Sequence, residues 1–372
     1  FTAESRTCCA ITGHNLWLEM GFAHRRRRFL MAKPVTITAQ KAVNSNNFFN
    51  TKGHITMGKK INFVLSSGLA LGAIGAAFSE LLLYFLSNKN ADPSFAFAGN
   101  EEDMTELDKA IEEVRKEDLD WLLSKKLTHY HITSDDGFKL HASFLPAEKP
   151  SNRYILCIHG YHCTGNDEFD SISRFYHEHG FNCFMIDHRG HGESEGKYIT
   201  FGIKESEDCM KWLKFMRREF GEDIEIILHG VSMGAATVML MSGKMLPNNV
   251  VFAVADCGYS TLKGQLLHNF QNNRLPAALS YWLYKTVAKL QAGFDPDKCN
   301  PIEGVEKSTI PILFAHGDED DFVPFDMVYA NYEACPSPVK RLITVPKAKH
   351  AQAFQVDDRL KNAILDMAER LM

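Results

Sequence analysis

The sequence has no C-x-x-C pair and no tightly spaced Cys/His cluster, so no zinc site is expected from it. Its nine cysteines in 372 residues are too sparse for a disulfide scaffold. It has no basic excess: 41 Lys and Arg stand against 46 Asp and Glu, and the net charge of −5 argues against nucleic acid as a partner. Internal repeats and low-complexity tracts do not occur, and long apolar runs are confined to one place. Collagen-like, mostly disordered and multi-span membrane chains are thereby excluded. What remains is an ordinary globular composition, 45% hydrophobic and 23% charged, long enough for one large core or two smaller ones.

The first quarter of the chain differs from the rest. Residues 1–56 show no regular period, begin with Phe and carry Arg25-Arg26-Arg27-Arg28. They are read as a non-native or unprocessed leader rather than a nucleic-acid-binding arm. Ile61 to Leu86 is the most apolar segment, with Glu80 its one charge. Its length is close to the roughly 20 apolar residues that a spanning helix needs. Lys59 and Lys60 precede it and acidic residues from Glu101 follow it. Residues 57–90 are therefore expected to form a single-pass signal-anchor, with the rest of the chain extracytoplasmic. A cleaved signal peptide and a buried helix of the domain are the competing readings. The cysteines pull against export. Seven follow residue 86, an odd number at irregular spacing, several inside apolar runs where they read as small buried hydrophobes. Residues 91–126 are read as a charged connecting helix, with Leu107, Ile111, Val114 and Leu119 at helical spacing.

From residue 127 to 372 the period changes. Two strand-like runs flank Asp135-Asp136-Gly137, a hairpin signal. Six short apolar runs then alternate with helical stretches: Tyr154–Ile158, Cys183–Ile186, Ile224–Leu228, Val250–Ala255, Ile312–Ala315 and Leu342–Val345. Buried, mostly parallel strands covered by helices on both faces are expected, an α/β fold. Ligands of such sheets sit beyond the carboxyl ends of the strands.

The residues found there are chemically specific. His229-Gly230-Val231-Ser232-Met233-Gly234 places a G-x-S-x-G between a strand and a helix, which marks Ser232 as a nucleophile. A serine needs a base, and the base needs an acid to orient it. His350 follows the last strand, and Asp318, Glu319, Asp320 and Asp321 follow the one before, in the chain order Ser, acid, His. Asp256, at the end of another strand, is a fallback acid.

On these motifs the chain from about Thr128 onward resembles the α/β-hydrolase fold. It is most similar to the serine-hydrolase branch of esterases, monoglyceride-lipase-like enzymes and serine aminopeptidase-like proteins, in a membrane-anchored bacterial form. The stretch from His316 to Pro324 is similar to the family's H-G-x-x-D-x-x-V-P, which selects Asp320 as the acid. Asp187 to Ser194 matches its D-x-R-G-x-G-x-S turn, read as structural. The resemblance implies an oxyanion hole made by the N–H groups of Met233 and Tyr161, with the Tyr161 and His162 side chains at the substrate pocket. It also implies a small helical cap at about 257–300, for which an ordinary amphipathic helix packed on the sheet is the alternative.

The function expected is hydrolysis of a small-molecule acyl ester through a covalent acyl-enzyme, with no metal or organic cofactor required. A serine peptidase or an acyltransferase would use the same triad of Ser232, Asp320 and His350. A non-catalytic membrane-tethered binding protein is the reading from another class.

Overall fold

A computed structural model describes residues 57–92 and 104–372, with the backbone alone for 57–71. The leader expected at 1–56 lies outside these residues. Two compact units divide the chain: residues 14–75, described from Met57 onward, and a unit that takes in residues 76–372.

Eight strands form one sheet in the order β1-β2-β4-β3-β5-β6-β7-β8. The hairpin pairs β1 (Thr128–Thr133) with β2 (Lys139–Leu145) in antiparallel register, and Gly137 at φ +91° makes the turn. β2 also runs antiparallel to β4 (Asn182–Ile186). The rest are parallel: β3 (Arg153–Ile158), β5 (Glu225–Val231), β6 (Val250–Asp256), β7 (Ile312–Gly317) and β8 (Lys340–Val345). Each of the six apolar runs falls in a strand; β3 to β7 are buried, as a strand covered on both faces carries hydrophobes throughout, and the edge strand β8 is half-buried.

Alternate side chains feed two cores. Leu156, Ile158, Phe184 and Ile186 face Trp212, Leu213 and Met216 of α5 (Ile203–Phe220). Val238 and Met239 of α6 (Met233–Ser242) lie in the same core. On the other face, Ile155, Cys157, Cys183 and Met185 meet Phe169 and Ile172, at the start of α4 (Asp170–Glu178), which follows the single turn α3 (Gly165–Glu168). Ile364 of the last helix joins them. Cys157, Cys183, Cys209, Cys257, Cys299 and Cys335 are free, buried thiols, as their apolar settings implied.

The apolar N-terminal segment is helical, α1 (Met57–Ser87), but the expected membrane crossing is not found. Among the described residues no helix is long and apolar enough to cross a membrane. Leu82, Leu83 and Leu86 are only 6%, 2% and 3% exposed, packed with Tyr161, Tyr284 and Phe201. Each buried leucine is worth about 2 kcal/mol, so the apolar extension past Phe78 is accounted for by docking onto the domain. Ser87 Oγ lies 2.8 Å from the Tyr284 hydroxyl at the end of this contact.

The charged segment is helix α2 (Glu106–Ser124), started by a capping box between Thr105 and Asp108. It is no mere connector. Its buried stripe is Asp108, Ile111, Arg115, Asp118 and Leu122, whereas Leu107 and Val114, also at helical spacing, are exposed. Ion pairs turn the helix this way: Arg115 Nε donates to Asp170 at 3.0 Å, and Arg174 donates to Asp118 at 2.8 Å.

The insertion after β6 forms α7 (Leu262–Asn272) and α8 (Ala277–Val287). Neither core on the sheet faces includes a residue of these helices. Leu262, Leu266, Phe270, Tyr281 and Tyr284 pack instead with Met233, Tyr161 and the end of α1. The insertion therefore sits beside the carboxyl end of β5 rather than on a sheet face. The remaining helices are α9 (Pro301–Val305), α10 (Asp326–Ala334), α11 (Ala353–Val356) and α12 (Arg359–Leu371).

Candidate active site

β5 ends at Val231 and α6 begins at Met233, which leaves Ser232 alone at the turn with φ 56° and ψ −116°. A left-handed φ is costly for a serine and persists only where the surroundings impose it. The neighbouring glycines leave room for it. A β-carbon on Gly234 would stand 1.8 Å from the Ile158 carbonyl oxygen, and one on Gly230 would stand 2.2 Å from that of Gly234. The Ser232 N–H donates to the Asp256 carbonyl at 2.8 Å, and the hydroxyl projects from the tip of the turn.

Three loops converge there. His350 Nε2 lies 2.8 Å from Ser232 Oγ, and His350 Nδ1 lies 2.8 Å from Asp320 Oδ2. With the carboxylate on Nδ1, that nitrogen carries the proton and Nε2 is left as the acceptor facing the hydroxyl. Of the four competing acids, Asp320 reaches the imidazole. Asp318 instead accepts the Lys347 N–H at 2.7 Å, and Asp256 presents its main chain to Ser232.

The surroundings of Asp320 explain its state. Oδ1 accepts the N–H groups of Phe322 (3.0 Å) and Val323 (2.9 Å), and Oδ2 is 3.0 Å from His316 Nε2. Burial would raise its pKa, but His350 and His316 outweigh burial and hold the carboxyl well below the usual range. For His350 burial acts downward. The Asp320 charge and hydrogen bond, followed by the charges of Glu168 and Asp256, overcome it and raise the imidazole above its ordinary 6.5. Asp256, fully buried, is pushed up to about 7 by desolvation, against the pull of His316 and His350.

A narrow cavity reaches this point, lined by Gly160, Tyr161, Glu168, Ser232, Phe322, His350 and Ala351. The loop after β3 is shaped by His159. Its Nε2 accepts the His188 N–H at 2.9 Å, so its Nδ1 is the donor to the Gly160 carbonyl at 2.7 Å. Tyr161 lines the cavity, but its hydroxyl donates to the Leu86 carbonyl of α1 at 2.9 Å and its ring stacks on Phe201. The His162 side chain is not part of the lining; its N–H donates to His191 Nε2 at 3.1 Å.

The family described as "Serine aminopeptidase, S33" matches residues 149–295, which hold the elbow and the loop after β3. The Bacillus subtilis protein YqkD is 26% identical over 286 residues, 77% of this chain and 88% of its own. YfhR of Escherichia coli K12 is 26% identical over 60% of this chain and 73% of its own. Among solved structures, the Pyrococcus furiosus esterase Pf2001 superposes with a TM-score of 0.56 at 24% identity, covering 68% of this chain and 94% of that one. The chain has the α/β-hydrolase fold.

Two residues of this fold carry weight that spacing alone does not reveal. His316 opens the H-G-x-x-D stretch, and its second contact with Asp320 is visible only once β7 and the loop after it are built. Glu168 is 3% exposed, and its Oε2 accepts the Gly160 N–H at 3.3 Å, directly behind the loop that carries Tyr161. Arg115 of α2 stands 3.9 Å from its other oxygen and donates to the Asp167 carbonyl at 2.8 Å. Burial raises the Glu168 pKa, with Arg115 and the Gly160 N–H opposing it. α2 reaches the third loop as well. Asp108 accepts from Lys349 Nζ at 3.1 Å and Gln352 Nε2 at 2.9 Å, on either side of His350. The D-x-R-G-x-G-x-S turn does structural work: Arg189 forks between Asp136 and Asp208 at 2.7 Å each.

Proposed function

We propose that the protein hydrolyses carboxylic esters through an acyl-enzyme. The observation that carries this is the unbroken chain of contacts from Ser232 through His350 to Asp320 at the mouth of a cavity. His350 Nε2 takes the Ser232 proton as Oγ attacks the carbonyl carbon. The oxyanion that forms is received by the N–H groups of Met233 and Tyr161, the first of them at the N-terminus of α6. His350 then passes the proton to the leaving alcohol, and a water activated by the same imidazole releases the acid. The apolar packing of α7 and α8 beside Met233 and Tyr161 makes the insertion a cap suited to acyl and aryl groups. The Pyrococcus furiosus protein with this fold is an esterase, which points the same way.

A peptidase reading is favoured by the serine aminopeptidase family match. Both are tested by assaying one preparation on short- and long-chain nitrophenyl esters and on aminoacyl amides. The esters are expected to react with kcat/KM at least about a hundredfold higher; a preference for the amides overturns the esterase assignment.

Glu168 affects the pH dependence. Its charge helps to hold the imidazolium form of His350, and the imidazolium is inactive as a base. In Glu168→Gln that support is gone, so the acid limb of the kcat/KM profile moves to lower pH. A profile that stays in place shows that the carboxylate does not act on His350.

A further inference from the structure

The period-2 alternation of β1 points Tyr130 and Ile132 at the core, leaving His129 and His131 on the opposite face. On β2 the same alternation buries Leu140, Ala142 and Phe144 in that core and puts His141 and Ser143 opposite. Register sets His131 directly across from His141 and His129 across from Ser143. Three imidazoles therefore share one face of an edge hairpin. His129 Nδ1 lies 2.9 Å from His141 Nε2, and Glu193, from the loop after β4, brings Oε1 to 4.0 Å from His141 Nε2.

From this geometry we propose a binding site for one divalent transition-metal ion, zinc, with His129 Nδ1, His141 Nε2 and a Glu193 carboxylate oxygen as its ligands. Their ligand atoms all lie within 4.8 Å of one another. Zinc–nitrogen bonds of about 2.0–2.1 Å in a tetrahedral site place neighbouring ligands about 3.3 Å apart, so the two imidazoles need to part by only a few tenths of an ångström. Two imidazoles and a carboxylate are a borderline donor set that suits zinc, and the fourth position is left to solvent.

The second observation is the outer support of the central ligand. His141 is 3% exposed, and its Nδ1 lies 2.8 Å from the Asp187 carboxylate. That contact puts the proton on Nδ1 and aims the Nε2 lone pair at His129 and Glu193, the carboxylate–histidine arrangement that orients metal-binding imidazoles. Asp187 is itself fixed by the N–H groups of Gly165 (2.9 Å) and Glu193 (3.0 Å). A bound ion would staple the edge hairpin to the loop after β4, outside the cavity at Ser232.

The full-length protein, stripped with EDTA, is titrated with zinc chloride by calorimetry, and its melting temperature is followed in parallel. One zinc per chain at micromolar affinity is expected, with a rise of several degrees in melting temperature. Cobalt(II) in place of zinc should give the visible absorption bands of a tetrahedral nitrogen/oxygen site. His129→Ala and Glu193→Gln alter exposed positions, so both should fold with the metal-free melting temperature of the parent and bind zinc about tenfold or more weakly. No binding at micromolar zinc, or binding by both variants as tight as the parent's, overturns the proposal. Retention by both also moves any bound zinc elsewhere, for instance to Cys257, Asp320 and His350.

Discussion

Ser232→Ala abolishes covalent labelling by a fluorophosphonate and lowers ester hydrolysis by roughly 10⁶-fold, to the level of the solvent reaction aided by binding alone. The size follows from the chemistry. Without Oγ there is no acyl-enzyme, and the proton acceptor at His350 Nε2 has nothing positioned 2.8 Å away to deprotonate. Stability should hardly change, since removing the hydroxyl leaves the main-chain bond from Ser232 to Asp256 and the packing of Gly230 and Gly234 in place. Mass spectrometry of the labelled protein and its melting curve provide both readings together. Labelling of Ser232→Ala equal to that of the parent would show that another residue is the nucleophile and would refute the mechanism.

Asp320→Asn lowers kcat by about 10⁴-fold. An asparagine can offer its NH₂ to His350 Nδ1, which presents the wrong tautomer to Ser232. The sign of the pH effect is also determined. The Asp320 charge and hydrogen bond lift the His350 pKa against burial, so the parent gains activity as pH rises through a value above 6.5. Without that charge the inflection of the residual activity moves to lower pH. The same substitution costs stability in a defined window. A folded carboxyl held below its unfolded value of 3.8 stabilises the native state above that pH, and the contribution is lost as pH falls toward the folded value. Melting temperatures of parent and variant should differ at pH 7 and converge in acid. Equal kcat in parent and variant would remove Asp320 from the mechanism.

The parallel strands β3 to β7 could be read from the chain because a strand covered on both faces leaves a nearly unbroken apolar run. The elbow was equally legible, since a serine between glycines at a strand–helix junction has few other uses. Among the acids, local pattern left four candidates in a row, and three-dimensional reach decides among them: Asp320 alone of the four contacts the imidazole. The helix α2 is legible in the sequence, but the face it buries is not, for a physical reason. Its buried stripe is held by Asp108, Arg115 and Asp118, and a charged side chain with a partner far along the chain looks the same in sequence as one facing water. Glu168 escaped notice on the same ground. His129, His141 and Glu193 stand in three separate segments, and only the register of the hairpin with the loop after β4 gathers them.

The pairing of Asp108 with Lys349 and Gln352 joins residues 241 and 244 positions apart. Closing so long a loop carries an entropic cost that the packed domain must meet before the contact gives anything back. The α2 contact therefore makes the position of the His350 loop depend on closure of the whole domain and not on its own neighbours in sequence.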